Sequence, residues 1–419
     1  MMKEIFVYML LLLSIESYGQ VTLEKVLSDI AQQAPETQLI NLSREATLFQ
    51  QKNISSARKP QLSFNAQSTY QSDVTAVNVE LPGIDIPTVN EFQYKFQGEV
   101  SQLILDGGKI NANKNASYIK GQIEQTKTDI QLDQVKSKAI ELFFNILESE
   151  RVIQVLEFKN EALEARRVIL QAGVDSGVAL ESEIFILDAA ILEIEQEIAR
   201  IFNIRSNGVQ ALSIISGVNY SADSEYLAPE VESEIVHSEV LKYHQLLKFQ
   251  SESIDINQDI RNSESKPHLV AFAQLGMGNP GLNFLEEGLT DYYIIGMKLN
   301  WKLGGLYTKS NDQQLNKIFK DQIVAQKNIF DRDWKSTESQ FRSEINMHQE
   351  LTEINESLVQ LRSSITGVAS TQLDNGVINS AEYISRLNEE YAARVNLDLA
   401  RIRKLKAQFQ LIQLYNLLP

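Results

Sequence analysis

Residues 102–109, Gln-Leu-Ile-Leu-Asp-Gly-Gly-Lys, have a counterpart in residues 299–305, Leu-Asn-Trp-Lys-Leu-Gly-Gly. Each stretch ends a segment in which apolar and polar residues alternate, and each is followed by a long run without proline. Proline is absent from residues 88–228 and again from residues 281–418. Because repeated landmarks decide a fold before any single element does, we expect a tandem duplication of one unit. That unit is a pair of strands followed by a very long helical hairpin.

Two further landmarks recur in both halves of the chain. A Lys-Pro pair opens the strand region of each half, at residues 59–60 and 266–267. A glycine suited to a tight turn interrupts each proline-free run, first as Gly177 and then as Gly376. The predicted organisation is a first repeat, a connecting segment and a second repeat, at residues 20–217, 218–235 and 236–419.

The N-terminal segment has the layout of a cleavable secretory signal. Lys3 precedes an apolar run at residues 5–15, and Ser17, Tyr18 and Gly19 precede Gln20. This run is too short to span a bilayer as a helix. We therefore expect residues 1–19 to be a signal peptide and the mature chain to cross the inner membrane.

The composition excludes several classes of function. The 419 residues include no cysteine, which rules out disulfides, thiolate metal sites, cysteine nucleophiles and an acylated N-terminal cysteine. A formal net charge of -16 argues against a nucleic-acid partner. The sequence has no phosphate-binding loop, no Gly-x-Ser-x-Gly motif and no histidine spacing typical of a metal site. We expect a protein that is not an enzyme and that has no cofactor and no metal.

One segment of each half alternates with a period of two, as a membrane strand does. In residues 92–104 and 293–303 the apolar side chains fall on one face and the polar side chains on the other. Strands of about 9–11 residues are long enough to cross a membrane when tilted. The candidates for a lipid-facing surface are Phe92, Tyr94, Phe96, Tyr293 and Trp301. A soluble hairpin that packs one face on helices would show the same alternation.

Four strands are predicted in all, at about residues 60–72, 91–105, 267–278 and 291–303. The third is the least regular, because residues 269–277 are apolar on both faces. A closed barrel needs about eight or more strands, so four strands cannot close one. A barrel built from these strands must be shared between chains.

The rest of each half is predicted to be a long helical hairpin, at about residues 107–217 and 305–416. Apolar residues recur there at heptad spacing, as in Ile184, Leu187 and Ile191 and in the run Ile354, Leu358, Leu361, Ile365 and Val368. Such seams are typical of antiparallel coiled coils. Shorter helices are expected before residue 60 and at about residues 236–264.

Four stretches of this sequence are similar to motifs of one known family. They are residues 21–27 (Val-Thr-Leu-Glu-Lys-Val-Leu), the junction at residues 102–109, and the turns at residues 173–179 and 373–377. In their order and duplication, and over essentially the whole mature chain, they resemble the TolC-like outer-membrane efflux family. The resemblance implies a mixed α/β fold, mostly α, in which three chains complete a twelve-stranded barrel. Long coiled-coil hairpins would continue the barrel as a periplasmic tunnel.

The resemblance also implies a function and partners. The chain would be a homotrimeric, passive exit duct of a tripartite efflux or type I secretion system in the outer membrane of a Gram-negative cell. Its partners would be outer-membrane lipid, a periplasmic adaptor and an energised inner-membrane pump. The competing interpretation is a secreted periplasmic coiled-coil scaffold or adaptor that has no membrane barrel.

Family positions near the two turns can be carried over to this chain. Glu183 and Glu382 stand where the family commonly has an acidic gate residue, and Ser385 stands where some members have a second, constricting aspartate. The turn residues that would contact the adaptor are Gly177, Val178, Gly376 and Val377. An acidic residue in the first turn of a helix is also favoured by the helix dipole alone, so Glu183 and Glu382 have a purely structural explanation as well.

Overall fold

The structure is a computed structural model that describes residues 20–75, 88–231, 241–286 and 288–415. The predicted signal peptide at residues 1–19 lies outside the described residues. In chain order the helices and strands are α1 (Leu23–Gln33), α2 (Pro35–Ser56), β1 (Gln61–Tyr70), β2 (Phe92–Leu105), α3 (Lys109–Asp175), α4 (Glu181–Ser216), α5 (Lys242–Glu264), β3 (His268–Asn279), β4 (Thr290–Asn300), α6 (Gly305–Asp374) and α7 (Ser380–Leu414). The order of elements therefore repeats, with two strands and a helical hairpin in each half.

The long helix of the first half begins at a capped junction, whereas that of the second half does not. Asp106 follows β2, and its carboxylate accepts hydrogen bonds from the backbone N–H groups of Gly108 at 3.0 Å and Ile110 at 2.8 Å. These bonds satisfy donors that the first turn of α3 would otherwise leave unpaired. Leu303 occupies the corresponding position before α6 and has no side-chain acceptor.

The four strands form one antiparallel sheet in the order β1-β2-β3-β4. Ala66 of β1 pairs with Phe96 of β2, which pairs in turn with Met277 of β3. Leu275 of β3 pairs with Tyr293 of β4. Because directly opposed residues point to the same side of a sheet, this register gathers the apolar side chains of all four strands on one face.

The third strand is apolar on both faces because two of its positions take part in packing on the polar face. A Cβ added at Gly296 would lie 2.9 Å from the Phe272 ring, and one added at Gly276 would lie 2.5 Å from the Tyr292 ring. Each ring therefore lies against a neighbouring strand where only glycine leaves room. The contact with Gly296 thus explains why an apolar residue, Phe272, lies on the polar face of the sheet.

The chain divides into two compact units, and both α3 and α6 contribute residues to each. The sheet unit spans Ile40–Lys127 and Tyr243–Asn328. The helical unit holds the described residues within Met1–Leu39, Thr128–Lys242 and Ile329–Pro419.

The described residues of the helical unit form two apolar clusters. The first surrounds Phe143 and Phe144 of α3, both completely buried, and joins them to α1, to the end of α4 and to Phe409 of α7. The Phe144 and Phe409 rings are 5.9 Å apart. The second cluster lies nearer the turns and joins both hairpins, with Leu163, Leu187, Ile191, Ile194, Ala369, Tyr383, Ile384 and Leu387 as its members.

The predicted apolar seam of α6 does not pack within its own hairpin. Ile354 is 53% exposed, Leu361 64% and Val368 59%. The side of α6 near α7 instead carries Thr366, whose hydroxyl donates to the Arg386 carbonyl at 3.4 Å, and the buried Ala369. The expectation that residues 354–368 form the intrachain seam was therefore wrong. Small and polar residues fill this contact, and the apolar stripe faces outward.

Among the described residues, no helix is both long enough and apolar enough to span a bilayer.

Candidate functional site

The first hairpin turn has a conformation that requires glycine. Gly177 has a φ of 78°, in the left-handed region that residues with a side chain rarely adopt. Its N–H donates a hydrogen bond to the Val174 carbonyl at 2.9 Å. The N–H of the next residue, Val178, donates to the Gly173 carbonyl at 2.9 Å. Paired bonds of this kind close the C-terminal end of a helix, so α3 ends here and α4 can return.

The second turn repeats this geometry in the other hairpin. Gly376 has a φ of 66°. Its N–H donates to the Leu373 carbonyl at 3.0 Å, and the N–H of Val377 donates to the Gln372 carbonyl at 2.8 Å. The side chain of Asn379 then caps α7 by accepting from the Glu382 N–H at 2.9 Å. Both turns thus stop one long helix and start the next within a few residues.

The two turns present apolar side chains at the surface. Val178 is 82% exposed, Leu180 is 70% exposed and Val377 is 69% exposed. Leu180 occupies the N-cap position of α4, where a polar side chain would normally accept from the helix, and makes no side-chain cap bond. Apolar residues at these positions give the turns a surface suited to contact with another protein.

Glu183 links the two hairpins of one chain. Its Oε2 accepts a hydrogen bond at 2.8 Å from the backbone N–H of Ser380, the first residue of α7. Ser380 is only 1% exposed, and Glu183 is half-buried. A carboxylate at a helix N-terminus is stabilised by the unpaired N–H groups and by the helix dipole. Here that dipole belongs to the helix of the other hairpin.

The other two predicted gate residues lie in a different environment. Glu382 and Ser385 are exposed on α7. The nearest cation to the Glu382 carboxylate is Arg386, one helical turn away at 3.9 Å. An exposed pair at this distance contributes little to stability. The structure therefore separates Glu183, which bridges two hairpins, from Glu382 and Ser385, whose side chains remain accessible.

A second link between the hairpins was not predicted from the sequence. Arg166 of α3 donates to Asp374, the last residue of α6, at 2.5 Å, and its guanidinium lies 5.8 Å from the centre of the Tyr383 ring. The Arg166 side chain is only 11% exposed. Burial raises the pKa of the Tyr383 hydroxyl. No local pattern identifies this contact, because its members are far apart in the sequence.

Each hairpin also has an ion pair of its own near the turns. Arg167 pairs with Asp188 in the first hairpin, and Arg362 pairs with Glu389 in the second. Within the described residues, no group of three or more His, Asp or Glu side chains is placed to hold a metal ion. These two ion pairs join the two helices of each hairpin.

The sheet presents an exposed apolar band. Its members are 42–88% exposed, and they are Leu62, Phe64, Tyr70, Phe92, Phe96, Val100, Leu275, Met277, Tyr293, Ile295, Met297 and Leu299. Three of the five candidate lipid-facing residues, Phe92, Phe96 and Tyr293, belong to this band. Tyr94 is half-buried. Trp301 follows the last residue of β4, and its indole N–H donates to the Ser265 carbonyl at 3.0 Å.

The same fold occurs in solved outer-membrane proteins. VceC, an outer membrane protein of Vibrio cholerae, is 13% identical, with a TM-score of 0.71 over 94% of this chain and 95% of that chain. A membrane protein of Pseudomonas aeruginosa is 12% identical, with a TM-score of 0.73 over 94% and 90%. The CmeC outer membrane channel of Campylobacter jejuni is 14% identical, with a TM-score of 0.71 over 94% and 85%.

No protein-family model and no curated protein sequence matches the chain. The structural similarity nevertheless extends over nearly the whole of both chains in each comparison. The chain therefore has the mostly helical fold, with a small antiparallel sheet, of TolC-like outer-membrane channels.

Proposed function

We propose that this protein is a passive exit duct in the outer membrane of a Gram-negative cell. Three chains form a channel-tunnel that serves an efflux or type I secretion system. A periplasmic adaptor connects the tunnel to an inner-membrane pump, which supplies the energy. The fold shared with solved outer membrane channels supports this proposal.

The observation that carries the proposal is the exposed apolar band on a sheet with two open edges. Twelve large apolar side chains of one face are at least 42% exposed. Contiguous apolar surface of this kind marks contact with a membrane or a partner. Within the part of the chain that the structure describes, the edge strands β1 and β4 each pair with one neighbour. Unpaired edge groups cannot be left in lipid, because no water is there to satisfy them.

A barrel shared by three chains would cover the exposed apolar band with lipid and would pair the open edges of the sheet. Pairing of β1 with β4 of a neighbouring chain satisfies the edges, and three sheets of four strands give a closed barrel of twelve. The apolar band then faces lipid, and the opposite face, which carries residues such as Asn65, Gln97 and Lys298, lines the channel. A closed barrel therefore explains both the exposed apolar band and the unpaired edge strands of the single chain.

The long hairpins form the wall of the proposed periplasmic tunnel, in which the buried seam of α4 packs as in an antiparallel coiled coil. The outward-facing stripe of α6, with Ile354, Leu361 and Val368, provides an apolar surface for a hairpin of the next chain. Helices that carry a second contact face can pack side by side into a closed wall. The turns then form the inner end of the tunnel.

The proposed entrance is controlled at these turns. The hydrogen bond from the Ser380 N–H to Glu183 and that from Arg166 to Asp374 hold the two hairpins of one chain together. Glu382 and Ser385 are accessible and form the proposed entrance ring. The exposed Val178 and Val377, beside their turn glycines, form the proposed adaptor contact.

The test is to locate the mature protein, count its chains and measure its conductance. Cell-envelope fractions are separated, the detergent-extracted protein is examined by size-exclusion light scattering, and the purified protein is added to planar bilayers. We expect an outer-membrane trimer that conducts ions. A matched variant, Ile295→Arg, places a charge in the centre of the band and should abolish membrane assembly.

The competing function is a periplasmic coiled-coil scaffold, supported by the outward apolar stripe of α6, which another helical protein could cover. This function predicts an elongated protein that is soluble without detergent and does not conduct. It also predicts that Ile295→Arg has no effect on location. Either result would reject the duct and favour the scaffold.

A further inference from the structure

A partly open cavity lies in the helical unit, well separated from the turns. Its volume is about 310 Å³. One face of α3 contributes Leu147, Glu150, Arg151 and Gln154, and one face of α7 contributes Asp398, Arg401, Ile402 and Leu405. The segment Glu225–Ala228 completes the lining. Glu150 precedes the end of α3 by 25 residues, which places the cavity about 37 Å along the helix from the first turn.

The covering segment is held in a fixed position. Val21 pairs with Tyr226, with its N–H donating to the Glu225 carbonyl at 2.9 Å and its carbonyl accepting from the Leu227 N–H at 3.1 Å. The ring of Tyr226 also packs against Phe143, with a centroid distance of 5.8 Å. The backbone of the covering segment is therefore already ordered, which favours binding because it need not be ordered when a ligand enters.

Two buried polar atoms at this cavity have no hydrogen-bond partner among the described residues, although one of them, Glu150 Oε2, lies 3.6 Å from the guanidinium of Arg205. They are the hydroxyl oxygen of Tyr226, a residue that is 4% exposed, and Oε2 of Glu150. A buried polar atom without a hydrogen bond costs about 1–3 kcal/mol, and nearly all such atoms in folded proteins are satisfied. Burial raises the pKa of the Tyr226 hydroxyl to about 12, so this group is protonated and can both donate and accept.

The charges around the cavity favour a ligand that donates hydrogen bonds. Arg401 is already paired with Glu356 at 2.7 Å, and Arg151 donates to the Gln154 amide at 2.6 Å. Asp398 has no ion pair among the described residues. Its carboxylate therefore remains available to a cation.

Glu150 and Glu225 add two more acceptors. Glu150 has its cation, Arg205, at 3.6 Å, and Arg205 is also engaged by the carbonyls of Ala222 and Ser224. Among the described residues, the side chain of Glu225 accepts one hydrogen bond, from the Gln20 amide. Acceptors therefore outnumber available donors in the lining.

The rest of the lining is apolar. Leu147 and Ile402 are buried, and Leu227 and Leu405 are half-buried. A cavity with an apolar body and a few converging polar groups is the usual form of a small-molecule site, and 310 Å³ is at the small end of the range. We infer that this cavity binds a small organic ammonium ion, whose charged group is held by Asp398 and Glu150 and whose apolar part lies between α3 and α7.

The experiment measures binding of 2-phenylethylammonium to the detergent-solubilised full-length protein by isothermal titration calorimetry. Phenylacetate, which reverses the charge, and 2-phenylethanol, which removes it, are the comparison compounds. We expect saturable binding of the ammonium ion and at least tenfold weaker binding of the other two. Equal binding of all three compounds, or no saturable binding of the ammonium ion, would overturn the inference.

Variants then localise the site. Asp398→Asn removes one charge from a half-exposed position and should weaken binding at least tenfold while leaving the fold intact. Tyr226→Phe removes only the hydroxyl and should also weaken binding. The matched control is Tyr391→Phe, which removes a hydroxyl that donates to the Phe158 carbonyl outside the cavity, and it should bind as the unaltered protein does. Unchanged affinity in both cavity variants would show that the compound binds elsewhere.

Thermal unfolding separates a ligand site from a cavity that only contains solvent. The ammonium ion should raise the apparent Tm of the unaltered protein and of Tyr391→Phe, but much less that of Asp398→Asn. If Tyr226→Phe is more stable than the unaltered protein and no compound shifts any Tm, the hydroxyl is an uncompensated structural group and the inference fails. This outcome does not depend on whether the protein forms a duct.

Discussion

The carboxylate of Glu183 accepts a hydrogen bond from the backbone N–H of Ser380 across 197 residues of sequence, at 2.8 Å. This bond joins the start of α7 to the first turn of α4. A residue that was expected only to place a charge at an entrance also holds the two hairpins of one chain together. Loss of this bond should therefore loosen the turns.

The first prediction concerns Glu183. Glu183→Ala removes a hydrogen bond to a charged group, which is worth about 1.5–3 kcal/mol. We therefore expect the population of the open state of the proposed entrance to rise by at least about tenfold. Single-channel recordings in planar bilayers measure the open probability. The matched control is Glu197→Ala on the same helix, because this carboxylate is 42% exposed and pairs with Arg200 one turn away. An equal effect of both substitutions would contradict the assigned role of Glu183.

The second prediction concerns the pair formed by Arg166 and Asp374. Arg166→Ala removes a side chain that is 11% exposed and that also covers the Tyr383 ring. We expect a loss of about 1–3 kcal/mol of stability, seen as a lower Tm of the detergent-extracted protein. A double-mutant cycle with Asp374→Asn should give a coupling free energy clearly different from zero.

The control for this pair is Arg200→Ala. Arg200 pairs with Glu197 one turn away on α4, and both side chains are largely exposed, at 58% and 42%. Exposed pairs of this kind contribute between zero and about 1 kcal/mol. A Tm that falls as much for Arg200→Ala as for Arg166→Ala would argue against a specific link between hairpins.

The third prediction concerns the two faces of the sheet. Ile295 is 76% exposed in the apolar band, so Ile295→Arg should cost about 2–4 kcal/mol if the band meets the centre of a bilayer. Asn65→Arg places the same side chain on the polar face and should be tolerated. Outer-membrane assembly, followed by fractionation and protease sensitivity, distinguishes the two. Equal assembly of both variants would contradict the assignment of the faces.

The fourth prediction concerns pH and the start of α3. Burial alone would raise the pKa of Asp106, but hydrogen bonds from the backbone of Ile110 and Gly108 outweigh it, so the net pKa is lowered. A carboxyl whose pKa is lower in the folded than in the unfolded state stabilises the fold above the unfolded pKa, about 3.9. That contribution is lost as the pH falls through the folded pKa.

Asp106→Ala should therefore cost about 0.5–2 kcal/mol at neutral pH, as other lost helix caps do. The difference from the unaltered protein should shrink as the pH falls below about 4. Asp106→Asn retains an acceptor and should lose less stability. Thermal unfolding at several pH values provides the measurement, and a cost for Asp106→Ala that is independent of pH would rule out the charged cap.

Much of the fold followed from local sequence patterns. Alternation with a period of two identified β2 and β4, and the long runs without proline identified α3 and α6. Gly177 and Gly376 are at the turns because only glycine readily adopts the left-handed backbone found there. These features depend on neighbouring residues, so the sequence contains them directly.

Other features depend on residues that are distant in the chain. The heptad spacing of residues 354–368 predicted an intrachain seam, but spacing alone does not say which neighbouring helix an apolar stripe contacts. Similarly, the sequence of β3 does not show why Phe272 is apolar on the polar face of the sheet. Its ring lies over Gly296 of the adjacent strand. The cavity under Tyr226 likewise combines three separate segments.

The sequence by itself determined the duplicated order of strands and helices, the two turns and the residues that occupy them, because periodicity, proline and glycine act over a few positions. Only the tertiary structure decided that Glu183 bonds to Ser380, that Arg166 bonds to Asp374 and that the α6 stripe faces outward. These contacts join segments about 200 residues apart or select one helix face from several. Such choices are made by packing and charge complementarity among whole helices, which no local pattern records.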